Sequence, residues 1–438
     1  MSKPPPILRH TASTYKLEHP AGTSPTLQQP SILAEQSATP QLTLATNHAE
    51  RAMASSSTAV VPKMKLKAAA VHAAPVFMDK KATTAKVVRI IEEAGKQGIK
   101  LLGFPETFIP GYPYFCEAYP PIQQVGALAK YADESVVCDA SDASMRSVQA
   151  ACRAAGVTVS LGVSERMPGG GYTLFNSQVV VDSDGAILGV HRKLQPTYAE
   201  RFVWAQGGGW SLRVVRPKLN GGGGGSDDGD GGGAAAAYNL GGLCCWENTL
   251  NGARQALIDQ NQHVHVGAWP ALSTMRGFEP VADAQIEALM KTHALTAQAF
   301  VLTASNYVDQ QCLDWMEANL GQQDFVKAGG GWSAVIHPFC SFLAGPHTGS
   351  EEKLVTAELD FKDLGPVKVW IDGNGHYKRP EILDFKFNTK PLWPDEGVAP
   401  KFPEPTQREA SNVPKNEQDR AMPEGFEAAW SRTRGFDR

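Results

Sequence analysis

Leu66-Lys67-Ala68-Ala69-Ala70-Val71-His72-Ala73-Ala74 is an apolar run, and a helical pattern follows it at Val87, Ile90, Ile91 and Ala94, ending near Gly98. The next apolar run is Ile99-Lys100-Leu101-Leu102-Gly103-Phe104. Strand, helix and strand in immediate succession read as an α/β core. The alternation continues outward. A helix carrying Met145, Val148, Cys152 and Ala155 stops at Gly156, and a strand spans Val157 to Val163. Phe175 to Val181, the turn Asp182-Ser183-Asp184-Gly185 and Ala186 to His191 form a hairpin, so the sheet is mixed rather than purely parallel. Strands at Tyr238 to Cys244, Val264 to Ala268 and Phe300 to Ala304 alternate with helices at Leu250 to Gln260 and Ala282 to Ala297. Late strands follow at Ser333 to Ile336 and Leu354 to Leu359.

The chain has 438 residues, 42% hydrophobic and 20% charged, enough apolar mass for a large core and unlike a fibrous or wholly disordered protein. Three stretches do not fit that core. Residues 1–62 are rich in Pro, Ser, Thr, Gln and Ala and read as a disordered extension. Residues 219–237 form a Gly/Asp/Ala insert without the Lys-Ser/Thr ending of a phosphate loop. Residues 386–438 are a tail rich in Pro and charge, with a weak amphipathic piece at Phe426 to Trp430. One domain of about 320 residues, 63–385, is expected between the tails.

Lys plus Arg number 41 and Asp plus Glu 45, a net charge of −4, which gives no basic field for nucleic acid or an anionic membrane. No run of eighteen apolar residues occurs, so no membrane span is expected. Met1-Ser2-Lys3-Pro4-Pro5-Pro6 lacks a signal-peptide core, and seven cysteines, odd in number and including adjacent Cys244-Cys245, disfavour a disulfide framework. A reducing, cytoplasmic location is expected. Arg9 and Arg51 among hydroxyl residues leave a targeting segment as the alternative, diluted by Glu18, Glu35 and Glu50.

Functional groups in α/β sheets collect where strands end and loops turn back. Three such ends carry chemistry: Phe104-Pro105-Glu106-Thr107-Phe108, His191-Arg192-Lys193-Leu194 and Leu243-Cys244-Cys245-Trp246-Glu247-Asn248. They supply a carboxylate, an ammonium and a thiol. A thiol attacks only as thiolate, so it needs a proton acceptor and nearby positive charge or a helix N-terminus. Successive strand residues face opposite ways, so Cys244 continues the apolar register as core filler and Cys245 is the nucleophile candidate. Any one of these residues alone reads as a buried thiol or a surface ion pair; their joint context decides.

That context resembles the nitrilase family of the carbon-nitrogen hydrolase superfamily over roughly Lys65 to Phe385. The resemblance rests on Phe104-Pro105-Glu106, Ile109-Pro110-Gly111-Tyr112-Pro113, His191-Arg192-Lys193-Leu194 with Pro196-Thr197 and Glu200-Arg201, and Cys245-Trp246-Glu247. Further matches are His265 with Trp269-Pro270, Gly330-Gly331 before Ser333, Ala344-Gly345-Pro346, and Gly375-His376-Tyr377 with Arg379-Pro380. It implies a four-layer αββα sandwich with mixed sheets, and a Glu-Lys-Cys triad at Glu106, Lys193 and Cys245, with Glu200 as a supporting carboxylate. It also implies a small nitrile as substrate, neither metal nor organic cofactor, and subunits that assemble into dimers or larger spirals. Two departures from the family pattern stand out: Gly207-Gly208-Gly209 replaces a common Gly-Asp-Gly, and the Gly/Asp/Ala insert stands where a tight turn is usual.

The reading is then a nitrilase forming acid and ammonia through a covalent thioimidate and thioester. A cyanide hydratase or amide hydrolase, and in another class a catalytically silent oligomeric scaffold, are the alternatives. Trp204 and Trp269 are candidates for lining an apolar substrate pocket, with plain core packing as the other reading. His263 and His265, two apart on a strand, raise a zinc site with the cysteines, against which stands the lack of a matching Cys or His pair; a core hydrogen bond is expected for His265. His376 reads as a capping, site or interface residue, and Gly329 to Gly331 as a bend before a strand.

Overall fold

The computed structural model describes residues 61–396 apart from 63, 140 and 219–236. The N-terminal extension to residue 60, most of the Gly/Asp/Ala insert and the tail beyond 396, with its Phe426 to Trp430 piece, lie outside the described residues.

The chain begins with β1 (Lys65–His72), α1 (Lys80–Lys96) and β2 (Leu101–Gly103), followed by short α2 (Phe115–Ala118), α3 (Val125–Asp133) and α4 (Ala143–Ala155). Asp79 caps α1 by accepting the Ala82 N–H. Asp142 caps α4 by accepting from Ser144 and Met145, and Gly156 ends it in the left-handed region at φ 64°. Next come β3 (Thr158–Arg166), β4 (Leu174–Val181) and β5 (Ile187–Arg192), then β6 (Leu240–Cys244), α5 (Asn251–Ile258), β7 (Val264–Trp269), α6 (Ala282–Ala297) and β8 (Phe300–Ser305). The chain continues with α7 (Gln310–Leu320), β9 (Ser333–Ile336), β10 (Phe342–His347), β11 (Lys353–Asp360) and α8 (Leu364–Trp370).

Ladder pairing runs β11-β1-β2-β3-β4-β5 along one sheet and β6-β7-β8-β9-β10 along the other. A single pair, His72 with Ser305, joins them. Parallel ladders link β1 to β2, β2 to β3, β6 to β7 and β7 to β8, while the hairpin and the β9, β10 and β11 pairings are antiparallel, so both sheets are mixed.

Alternation along β1 shows why the sheets stack. Leu66, Ala68 and Ala70 enter a buried cluster with Leu240, Val264, Val266, Phe300 and Leu302 of the second sheet. Ala69 and Val71 face the other way, onto Val87 and Ile91 of α1 and Met145 and Val148 of α4. On the outside of the second sheet, Ile286, Met290 and Ala294 of α6 pack with Val301, Ala334 and Ile336. Helices, sheet, sheet and helices make the αββα sandwich.

Several elements are not announced by the sequence reading. The helix α7 carries legible signals: Asp309 caps it through the Cys312 N–H, Cys312, Met316 and Leu320 are its buried stripe, and Gly321 follows its end. The strand β10 contains Gly345-Pro346 and pairs with β9 through register shifts, which hides it from a period-two reading. Gly329, Gly330 and Gly331 all have positive φ, the bend expected before Ser333.

One glycine ties the fold to the site. A Cβ on Gly162 of β3 would lie 2.1 Å from Pro105 O and 2.6 Å from the Thr107 N. The turn bearing Glu106 therefore rests directly on the β3 backbone. Gly162→Ala is expected to lower unfolding free energy by about 1–3 kcal/mol and to reduce turnover as the Glu106 turn is pushed outward. Urea denaturation alongside an activity assay checks this, and an unchanged protein would show that the turn yields freely.

Candidate active site

Strand β6 ends at Cys244, and Cys245 takes φ 51°, left-handed and uncommon for a residue with a side chain. The chain turns there into a 3-10 helix, Cys245–Thr249. Cys244 and Cys245 part company as expected, but through this turn rather than through continued strand alternation. Cys244 is fully buried, and its sulfur accepts the Glu247 N–H. The Asn248 amide donates to Cys245 O at 2.8 Å, and Asn248 Oδ1 lies 3.0 Å from His265 Nε2. His265 is thus the core hydrogen-bonding residue the sequence suggests, one that braces the turn.

Lys193 stands one residue past β5, and Glu200 on a 3-10 helix, Tyr198–Phe202, whose capping box joins Thr197 and Glu200. The Lys193 ammonium donates to Glu106 Oε1 at 2.8 Å and to Glu200 Oε2 at 2.7 Å. A ligand atom from each of Glu106, Glu200 and Cys245 lies within 4.8 Å of the others. The residues singled out in the sequence are therefore brought together. The carboxylates that would ligate a cation already hold the chain's own ammonium.

Two further residues fix the carboxylates. Asn176 Nδ2 donates to Glu106 Oε1 at 2.6 Å, and Tyr112 OH donates to Glu200 Oε1 at 3.0 Å. Glu106 Oε2 remains buried without a hydrogen-bond partner. Sequence reasoning misses Asn176; its signal is the polar run Asn176-Ser177-Gln178 inside an otherwise apolar strand, all three buried.

Burial sets the electrostatics. Cys245 and Lys193 are 0% exposed and Glu106 1%. The Glu106 carboxyl is raised above its ordinary 4.5, first by burial and then by Glu200, against the pull of Lys193. Burial lowers Lys193, but the two carboxylates outweigh it and hold the ammonium well above 10.5. The Cys245 thiol is pushed well above 9.0 by burial and by Glu106, with Lys193 opposing. Burial and Glu106 thus favour the neutral thiol over a standing thiolate.

Cys245 shares a buried apolar cluster with Tyr112, Trp204 and Trp269. Trp204 donates to Ser164 Oγ at 3.1 Å, and Trp269 packs edge-on to Trp246 at 6.2 Å. A surface cleft of about 480 Å³ shares Trp204 with that cluster and is also lined by Pro196, Arg201, Leu392 and Trp393.

The zinc alternative has no geometry behind it. His263 precedes β7, and its ring packs edge-on to Phe361, whereas the ring of His265 lies 4.0 Å from that of His293. Among the described residues the grouping of Glu106, Glu200 and Cys245 includes neither. His376 is exposed, with its ring edge-on to Tyr377. Gly208 makes room for the segment around Glu396: a Cβ there would lie 2.6 Å from Glu396 Oε2, so the Asp common in the family at this point would set carboxylate against carboxylate.

Comparison with known proteins identifies the family. The carbon-nitrogen hydrolase family profile matches residues 67–369, more than half of the chain. A nitrilase of Pseudomonas syringae is 34% identical over 330 residues, covering 75% of this chain and 91% of that protein. An aliphatic nitrilase of Rhodococcus rhodochrous is 32% identical, covering 75% and 84%. Among solved structures, a carbon-nitrogen hydrolase from Helicobacter pylori superposes with a TM-score of 0.54 at 18% identity, covering 74% of this chain and 98% of that one. Saccharomyces cerevisiae Nit3, of the nitrilase superfamily, gives 0.54 at 16% identity, covering 74% and 100%. These two speak for the αββα fold alone. With profile, relatives and fold in agreement, the chain belongs to the carbon-nitrogen hydrolase family, in its nitrilase branch.

Proposed function

We propose that the protein hydrolyses an organic nitrile to the carboxylic acid and ammonia, with Cys245 as nucleophile, Glu106 as general base and acid, Lys193 as the cationic stabiliser and Glu200 as its orienting partner. One observation carries the reading: a buried ammonium bridges two carboxylates at 2.7 and 2.8 Å, and both carboxylates lie beside the Cys245 sulfur. The names of the relatives, nitrilase and aliphatic nitrilase, supply the substrate class.

In the first step the thiol proton passes to Glu106, whose Oε2 is unpartnered, as sulfur bonds to the nitrile carbon; that proton returns to the nitrile nitrogen to give a neutral thioimidate. Lys193 faces the charge that develops there. Water then adds to the carbon, losing its proton to Glu106. Glu106 returns that proton to the nitrogen, the O–H proton of the adduct follows it as the carbonyl forms and the C–N bond breaks, and ammonia leaves with a thioester remaining. A second water, deprotonated in the same way, breaks the C–S bond, releasing acid and restoring the thiol. Breakage of C–S instead of C–N at the first tetrahedral stage releases an amide.

Trp204 and Trp269 serve in this reading as walls of the site, since both share the cluster of Cys245. A second copy of the chain suits the apolar residues left exposed near the end of the described chain, Val369 at 79%, Trp370 at 75% and Leu383 at 65%. All seven cysteines are free thiols, which suits a reducing compartment such as the cytoplasm. No helix among the described residues is long and apolar enough to cross a membrane.

Cys245→Ala is expected to fold and to lose nitrile turnover entirely, while the wild-type chain mixed with a slow nitrile acquires the mass of one acyl or thioimidate group on Cys245. Retained turnover, or an adduct elsewhere, removes the proposed nucleophile. The pH profile is a separate check. Glu106 must be ionised to take the proton, so kcat/KM falls as pH drops through its pKa, which burial and Glu200 place above 4.5. Glu200→Gln removes one of the groups that raise it and is expected to move this acid limb to lower pH. A wild-type limb at or below 4.5 contradicts the assignment.

A further inference from the structure

Lys193 follows β5 and Cys245 follows β6, strands that lie in different sheets and share no ladder. No ladder between β5 and β6 therefore sets the spacing between ammonium and thiol directly. The link is one carboxylate. Glu247, 1% exposed, accepts the Leu194 N–H at 2.8 Å through Oε1 and the Cys244 N–H at 2.9 Å through Oε2. Leu194 is the residue after Lys193, and Cys244 the residue before Cys245. His191 Nε2 lies 3.0 Å from both carboxylate oxygens, while its Nδ1 faces Ser211 O at 3.2 Å. An acceptor at each ring nitrogen suits the doubly protonated, cationic ring, which balances the buried carboxylate. Burial that would push the Glu247 carboxyl up is outweighed by His191 and the two amides, which keep it below 4.5 and ionised.

We propose that Glu247 is a positioning residue for the reaction: by binding the chain neighbours of Lys193 and Cys245 at once, it sets the distance between the ammonium and the attacking sulfur. The inference rests on the nitrile-hydrolysis reading and deepens it. Glu247 does not touch the reacting atoms. Its effect falls on how often sulfur, base and ammonium meet in reactive geometry, which is a kcat effect, because a misplacement of about 1 Å can cost on the order of 100-fold in rate.

Two variants test it. Glu247→Gln keeps the size but turns an amide N–H2 toward one of the two backbone donors, opening the link on one side. Glu247→Asp keeps the charge for His191 but is one methylene too short to reach both amides. Turnover is read per folded molecule, with the folded fraction taken from circular dichroism. Both variants are expected to lose about 10- to 100-fold in kcat with KM changed less than about threefold, and to show slower alkylation of Cys245 by iodoacetamide. His191→Gln, which keeps an N–H donor to the carboxylate and both backbone bonds, is expected to retain most of kcat. If either Glu247 variant keeps kcat within twofold per folded molecule, or if the loss falls in folded fraction alone, the positioning role is overturned. Cys245→Ala assayed in parallel separates the two levels: turnover surviving there refutes the hydrolytic reading itself.

Discussion

The site depends on a single ammonium, Lys193, held in a buried position between Glu106 and Glu200. Taking a charge out of water costs several kcal/mol even after relaxation, and removing one partner of a buried pair typically costs about 3–5 kcal/mol. One cation cannot balance two carboxylates, so the cluster is short of positive charge. Burial first, and that shortage second, raise Glu106 and keep the Cys245 thiol neutral, while the two carboxylates hold the Lys193 proton firmly against burial.

The αββα sandwich makes such a site possible because it delivers three strand ends to one place. Glu106 comes from beyond β2, Lys193 from beyond β5 and Cys245 from beyond β6. The first two belong to one sheet and the third to the other. The β3 backbone at Gly162 sets the Glu106 turn by contact, with no room for a methyl group between them. The end of the described chain adds a clamp near Lys193. Arg192 pairs with both Glu165 and Asp395 and stacks over Phe175, against which Trp393 packs. Gly208 leaves the space that Leu392 and Glu396 fill, so the departure from the family's Gly-Asp-Gly has a local packing reason.

Much of this was legible in the residues because the chemistry sits at strand ends, where apolar periodicity stops and a charged or thiol side chain follows. Glu106, Lys193 and Cys245 each carry that signature, and the alternation of strand and helix indicates the α/β class. What holds those groups is written in contacts between distant parts of the chain. Asn176 meets Glu106 across 70 positions and Tyr112 meets Glu200 across 88, separations at which no local pattern operates. The left-handed turn at Cys245 is likewise invisible, since cysteine carries no preference for it. The pairing of His263 with His265 misleads for a simpler reason: β7 begins at Val264, so the strand's alternation does not extend to His263.

A neutral, enclosed thiol looks like a poor nucleophile until the proton is followed. Moving it from sulfur to Glu106 creates one anion and removes another, so the net charge of Cys245, Glu106, Glu200 and Lys193 stays at one negative unit. Creating a lone thiolate in the same core would add a second uncompensated charge and meet the full desolvation penalty. The enclosed site thus disfavours a standing thiolate, and the proposed mechanism avoids one by a transfer in which sulfur gives up its proton while bonding to carbon. In the proposed mechanism the ammonium, already fixed by two carboxylates, need not reorient as the charge moves from sulfur toward the nitrile nitrogen. Preorganisation of this kind stabilises the bond-forming step without activating the sulfur in the absence of substrate.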